Sequence, residues 1–189
     1  MGCIPNGAPP STLFALVSYI PDPLALFLDR LRLEMDPECK PHAHVTILPP
    51  RPVCCQESAA AEELERRVRD FVSFEVHLGE VEMFEGSEVI FIGVRTGWDE
   101  LNRMHEALNH GTVCFKEKYS YHPHITLAQN IEHELVAPLR EMARQRWAEY
   151  KGSRSFWVED LAFVRNGFGC EWVDLANISL PKPVECLAP

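Results

Sequence analysis

The sequence predicts an α+β fold made from a duplicated unit: two β-α-β-α-β lobes about a pseudo-two-fold axis, with a groove between antiparallel sheets. The chain has 189 residues, 46% hydrophobic and 24% charged, which is the balance of a globular protein. β-type and amphipathic helical runs alternate along it, and sequence matches recur at offsets of 77, 80 and 82 residues. We therefore expect a single domain, residues 1–189, whose lobe-forming repeats are approximately 11–86 and 87–180. The matches are Phe14, Val17, Asp22 and Leu24 with Phe91, Val94, Asp99 and Leu101; His42, His44 and Thr46 with His122, His124 and Thr126; and Phe74 and Val76 with Phe156 and Val158.

The first repeat begins with an apolar strand over residues 13–20. A helix follows, because Pro23 suits a first helical turn and apolar residues recur at i, i+3, i+4 and i+7. A short strand over 42–48, a loop at 49–53, a second helix and a strand over 74–84 complete the repeat. The predicted helix stripes are Leu24, Phe27, Leu28 and Leu31, then Leu64, Val68, Phe71 and Val72.

The second repeat has the same order of elements. Strands are predicted over 89–96 and 122–128, and a closing strand over 155–165 is followed by a final strand over 171–180. The stripes of its two helices are Trp98, Leu101, Met104 and Leu108, then Val136, Leu139, Ala143 and Trp147.

The charge balance restricts the class of partner. With 28 acidic and 18 basic residues the formal net charge is −10, which disfavours long polyanions because their affinity comes from clustered Lys and Arg.

Seven cysteines, an odd number without C-x-x-C spacing, fit a reducing compartment. No apolar run reaches membrane-span length and the N-terminus lacks a signal pattern, so we expect a cytoplasmic monomer that contacts no membrane.

The candidate chemistry lies in residues 42–48 and 122–128, which both read His-x-His-x-Thr. With 8 His and 5 Thr in the chain, this pattern is expected about 0.009 times by chance, yet it occurs twice at equivalent places. On a strand, side chains two residues apart share a face, so His44 is expected on the same face as Thr46, and His124 on the same face as Thr126. Two imidazoles across a groove, one neutral and one protonated, suit in-line displacement at phosphorus, with the Thr hydroxyls on the non-bridging oxygens and no metal.

The chain resembles the 2H phosphoesterases, the superfamily of the 2′-5′ RNA ligase-like proteins and 2′,3′-cyclic phosphodiesterases. The resemblance is carried by His44-Val45-Thr46 and His124-Ile125-Thr126, by Pro123 and by Leu127-Ala128, and it spans nearly the whole chain. It implies an active-site groove in a duplicated bilobal fold, and hydrolysis or reversible transesterification of a 2′,3′-cyclic phosphate or 2′-5′ phosphodiester. It also implies that His44 and His124 are the acid–base pair, that Thr46 and Thr126 bind phosphate, and that no cofactor is needed.

Four further residues are candidates for supporting roles: His42, His122, Arg51 and Gln129. His42 and His122 share the catalytic face if the strands extend that far, and Arg51, like Lys118, could supply a cation. Ligase-like members often have Arg where this chain has Gln129, which disfavours a long RNA substrate. We therefore expect a small cyclic nucleotide, or an RNA end carrying a 2′,3′-cyclic phosphate, and no long duplex. Candidates for an aromatic wall that receives a base are Phe14, Tyr19, Phe115, Tyr119, Tyr121 and Phe163.

Two other functions stay open at this point. The four histidines could form a zinc or copper site, although no carboxylate or cysteine lies at ligand spacing. Alternatively, the fold could serve as a non-catalytic module that binds a nucleotide or RNA end. Which histidine is the base and which the acid is also open.

Overall fold

The computed structural model describes residues 12–38, 42–167 and 172–183, and these form eight strands and four α-helices in an α+β arrangement. In chain order the elements are β1 (Phe14–Tyr19), α1 (Leu24–Met35), β2 (His44–Arg51), α2 (Glu57–Val68), β3 (Phe74–Met83), β4 (Ile90–Thr96), α3 (Trp98–Leu108), β5 (His124–Ala128), α4 (His133–Glu149), β6 (Ser155–Val158), β7 (Asp160–Asn166) and β8 (Trp172–Ser179). A short 3₁₀ turn, Gly111–Val113, lies between α3 and β5.

The strands form two four-stranded sheets in which neighbouring strands are antiparallel. Their orders are β2-β1-β7-β8 and β5-β4-β3-β6. This confirms the predicted α+β class with two antiparallel sheets. The two motif strands, β2 and β5, occupy the same outer position in their sheets, and they approach each other where the lobes meet.

The sheets do not coincide with the contiguous repeats 11–86 and 87–180. β3, from the first repeat, pairs with β4 and β6 in the second sheet, and β7 pairs with β1 in the first. The prediction of a single strand over 155–165 is wrong, because the chain leaves one sheet at Val158 and enters the other at Asp160. Burial periodicity shows that a segment is extended, but it does not show which sheet the strand joins.

Three local expectations also differ from the structure. The loop predicted at 49–53 is strand as far as Arg51, since β2 is an outer strand and outer strands tolerate proline. Helix α2 ends at Val68, so Phe71 and Val72 lie beyond it and Val72 is exposed. The motif strands begin at His44 and His124 rather than two residues earlier.

The main core lies between the sheets and the helices, and most of the predicted helix stripe residues are buried in it. Leu24, Leu28 and Leu31 of α1 and Leu101, Met104 and Leu108 of α3 are buried. The opposite face of the first sheet carries a second, smaller apolar cluster of Ala15, Val17, Ala162 and Val164, with Tyr19 packed against it. None of the helices in the described ranges is both long and apolar enough to cross a membrane.

Candidate active site

The motif side chains alternate between the core and the other face of each sheet. Val45, Ile47 and Ile125 are fully buried and Leu127 nearly so, whereas His44, Thr46, His124 and Thr126 are half-buried. The predicted sharing of a face by each His and its Thr is therefore what the strand geometry gives. The apolar neighbours anchor both strands while the polar side chains stay accessible.

Each motif histidine donates a hydrogen bond to the backbone carbonyl of the residue two positions before it, just ahead of its strand. His44 Nδ1 lies 2.7 Å from the carbonyl oxygen of His42, and His124 Nδ1 lies 2.6 Å from that of His122. A carbonyl only accepts, so Nδ1 carries the proton in both rings and donates it. In the neutral ring Nε2 is then the basic nitrogen, and it is the same atom in both motifs.

Burial lowers the pKa of both histidines. It brings the pKa of His44 to about 4; the bond to His42 opposes the shift, and the nearby charges of Arg32, His42 and His124 add to it. The pKa of His124 is also lowered by burial, and the hydrogen bond that His124 donates to the His122 carbonyl opposes this shift. These shifts favour neutral imidazoles near pH 7, and an anionic ligand between the two rings would favour a proton on one of them.

Tyr19 forms the flank of the site on the first sheet. It lies opposite His44 in the β1–β2 pair, and its ring stacks on His42 with centroids 3.6 Å apart. Its hydroxyl donates to Asp174 at 2.6 Å. Burial and that carboxylate raise the pKa of Tyr19, so the hydroxyl stays protonated.

An aromatic group forms the flank on the second sheet. Phe91, opposite Thr126, stacks on Phe84 with centroids 4.2 Å apart. Both rings meet His124 edge-on, at 5.2 and 5.1 Å. Trp98 meets the ring of His122 in the same way at 4.7 Å. Together these residues give an apolar wall beside one of the paired imidazoles.

The predicted supporting residues separate into two groups. His42 and His122 lie beside His44 and His124, on the segments that enter β2 and β5. Arg51 is only 1% exposed and pairs with Glu117, so it is not brought to the histidines. Gln129 is exposed just after β5, and Lys118 is exposed in the preceding loop.

Several site residues were not found from the sequence. Arg32, on α1, reaches the second motif, where Nη1 donates to the carbonyl of Thr126 at 3.2 Å. Its position on an amphipathic helix gives no signal of this role. Phe84, Phe91 and Trp98 fit ordinary strand and helix patterns.

Among the proposed wall aromatics, only Tyr19 lines the histidines. Phe14 and Phe163 stack in the core at 5.5 Å, while Phe115 and Tyr119 are exposed on the loop before β5. Tyr121 packs against the core. Within the described residues, no group of three or more His, Cys, Asp or Glu side chains is placed to hold a metal ion.

Comparison with known proteins agrees with this architecture. The sequence profile of the 2′-5′ RNA ligase superfamily matches residues 20–167. The fold is similar to E. coli LigT complexed with 3′-AMP (TM-score 0.62, 16% identity, 89% of this chain and 98% of that one) and with ATP (TM-score 0.64, 16% identity, 90% and 99%). It is also similar to Kluyveromyces marxianus Usb1 with uridine monophosphate (TM-score 0.50, 14% identity, 90% and 98%). A search of curated proteins gave no significant match.

Proposed function

This chain belongs to the 2′-5′ RNA ligase superfamily, a group of 2H phosphoesterases, and from that membership we propose that it is a metal-independent phosphoesterase of nucleotides. Its substrate is a 2′,3′-cyclic phosphate on a small nucleotide or RNA end, or a 2′-5′ phosphodiester. The observation that carries the proposal is the matched pair of Nδ1 hydrogen bonds, which leaves the same ring nitrogen of His44 and His124 for proton transfer.

In the proposed hydrolysis the two histidines act on opposite ends of the reacting bond. The neutral imidazole takes a proton from water through Nε2 while the water oxygen bonds to phosphorus. The bond from phosphorus to one ribose oxygen breaks, and the protonated imidazole gives its proton to that oxygen. Thr46 and Thr126 donate to the non-bridging oxygens, where negative charge develops. One water is consumed and the histidines exchange protonation states, so the reverse direction uses them in exchanged roles.

The surroundings of the pair favour a small nucleotide. Phe84 and Trp98, which are partly exposed, offer a surface on which a base can stack beside His122 and His124, and buried Phe91 supports Phe84 from behind. A chain of net charge −10 gains little from a long phosphate backbone. The solved LigT and Usb1 structures of this fold hold 3′-AMP, ATP and uridine monophosphate. We further propose that the protein acts as a cytoplasmic monomer.

The test is turnover of 2′,3′-cyclic UMP and of a 2′-5′-linked diribonucleotide, with and without excess EDTA. We expect hydrolysis that EDTA leaves unchanged, and loss of turnover of at least about 10²-fold in both His44→Ala and His124→Ala. Loss of activity on chelation, restored by zinc, would favour the metal site. Binding of cyclic UMP without turnover would favour the non-catalytic module. Thermal unfolding of both variants separates a chemical from a structural role of the histidines.

A further inference from the structure

Both motif strands have an irregularity next to the threonine. In the β1–β2 pair Leu16 lies opposite Leu48 and Val17 opposite Thr46, so Ile47 is an extra residue. In the β4–β5 pair, Ile90 and Phe91 lie opposite Ala128 and Thr126, so Leu127 is the equivalent extra residue. Such bulges interrupt the hydrogen-bond ladder between the strands and change the direction of the backbone next to them.

The carbonyl of each motif threonine accepts a hydrogen bond from a side chain of the other sequence repeat. The hydroxyl of Tyr121, from the segment that enters β5, donates to Thr46 O at 2.7 Å. Arg32, on the helix between β1 and β2, donates through Nη1 to Thr126 O at 3.2 Å. The two bonds therefore link the two sequence repeats in opposite directions.

The orientation of the Tyr121 ring is fixed by its packing against buried His105. The ring stacks on His105 with centroids 4.0 Å apart and planes inclined by 2°. His105 Nδ1 donates to the carbonyl of Ile47 at 2.8 Å, and its Nε2 lies 3.6 Å from Glu117, which pairs with buried Arg51. Burial raises the pKa of Tyr121, and Glu117 adds to this, so the phenol remains a donor.

We propose that Tyr121 and Arg32 form a clasp between the two motif strands that sets the separation of His44 and His124, with Tyr121 as a positioning residue for the reaction. The clasp holds the backbone of both threonines, and each threonine lies two residues from its histidine. In-line displacement needs the two Nε2 atoms placed on opposite sides of one phosphorus, and a misplacement of about 1 Å costs on the order of 10²-fold in rate. This inference rests on the proposed function for its kinetic consequence.

The experiment compares Tyr121→Phe, which removes only the hydroxyl, with Tyr119→Phe, its matched control on the same loop. Tyr119 is 74% exposed, so that its hydroxyl has no part in the clasp. For Tyr121→Phe we expect kcat for 2′,3′-cyclic UMP to fall about 10- to 100-fold with KM within about threefold of wild type. Tyr119→Phe should keep wild-type kcat. A kcat for Tyr121→Phe within twofold of wild type would overturn the proposal.

Arg32→Gln provides a second variant and a double-mutant cycle. If both bonds set one separation, the losses of kcat in Tyr121→Phe and Arg32→Gln should not add in the double variant. Additive losses would mean that the two residues act separately, and they would overturn the clasp. If Tyr121→Phe unfolds below the assay temperature, Arg32→Gln alone tests the clasp. A kcat for Arg32→Gln within twofold of wild type would then overturn the proposal.

A measurement without turnover separates this inference from the proposed function. NMR titration of the His44 ring reports its hydration, with Arg32, His42 and His124 as the charged or titratable groups around it. Loosening of the lobes in Tyr121→Phe should hydrate His44 and move its pKa upward toward the ordinary value, whereas Tyr119→Phe should not. An unchanged titration in Tyr121→Phe would overturn the clasp. Failure of the wild-type protein to turn over any phosphodiester would instead overturn the proposed function.

Discussion

The carboxylate of Glu82 covers Gly93: a Cβ added to Gly93 would lie 2.6 Å from Glu82 Oε1. Gly93 is the residue opposite His124 in the β4–β5 pair, so the carboxylate of Glu82, on β3, lies over β4 close to His124. Glu82 also opposes the lowering of the His122 pKa, which burial causes. A negative charge at this place would repel the anionic substrate proposed above.

Glu82→Gln should therefore lower KM for 2′,3′-cyclic UMP by about two- to fivefold, because an exposed charge is worth less than about 1 kcal/mol. The gain should shrink as salt rises, since the effect is a screened Coulomb interaction. Steady-state kinetics at low and high ionic strength measure this. Glu85→Gln, an exposed acid just beyond β3, is the control and should leave KM unchanged. A rise of KM in Glu82→Gln would show that the carboxylate binds substrate.

The pH profile of kcat/KM should have its optimum on the acid side of 6.5. One histidine must be neutral and the other protonated, so the rate follows a bell centred between their two pKa values in the free enzyme. Burial lowers both, to about 4 for His44, so both limbs are displaced toward acid. The rate falls at higher pH as both rings become neutral, and at lower pH as both become protonated. Cyclic UMP is the suitable substrate because its base does not titrate in this range, and an optimum at pH 8 would contradict the assignment.

Thr46→Val and Thr126→Val should each reduce kcat/KM by about 10- to 100-fold with little change in melting temperature. Valine keeps the β-branched shape on the strand but removes the donor to the developing charge. The two motif threonines are half-buried, and their apolar neighbours would be retained. Thr96→Val, at the exposed end of β4, is the matched control. Wild-type kcat/KM in both motif variants would mean that the threonines are ordinary strand residues.

Arg51→Met should destabilise the fold by roughly 3–5 kcal/mol, because it leaves the carboxylate of Glu117 without its buried partner. Arg51 also donates to the Pro49 carbonyl at 2.8 Å and to Asn109 at 2.7 Å. Chemical denaturation measures the loss, and Arg51→Met with Glu117→Gln should recover part of it. KM for cyclic UMP should stay close to wild type in the folded protein. A large rise of KM without loss of stability would instead support Arg51 as the phosphate cation.

Gly97→Ala should destabilise the protein by about 1–3 kcal/mol. Gly97 precedes α3 with φ of 86°, and an added Cβ would lie 2.9 Å from Val76 and 3.0 Å from the carbonyl of Glu75. Both the backbone conformation and the close approach of β3 therefore require glycine. Gly86→Ala is an informative comparison, because Gly86 also has a positive φ but has open space around it. Its substitution should therefore cost only the stability that is lost by placing alanine at positive φ. Equal losses in the two variants would show that the contact with β3 does not matter.

The sequence predicted the elements that local periodicity controls. Alternation in residues 44–48 and 124–128 placed Val45 and Ile125 in the core and the motif polar residues on the other face, because a strand has a period of two. The stripe of α1 was also predictable from spacing. Periodicity did not separate β6 from β7, since an extended run has the same pattern whether or not the chain changes sheets at Glu159.

The sequence alone determined the fold class and the family, and it located the two copies of the His-x-His-x-Thr pattern, because duplication places the same rare pattern at equivalent positions. Only the tertiary structure decided what surrounds them. It brings Arg32 and Tyr121 to the opposite motif strands, sets Phe84 and Phe91 against His124, and buries Arg51 on Glu117 instead. These contacts join residues far apart in the chain. They depend on how two sheets meet, for which local spacing carries no information.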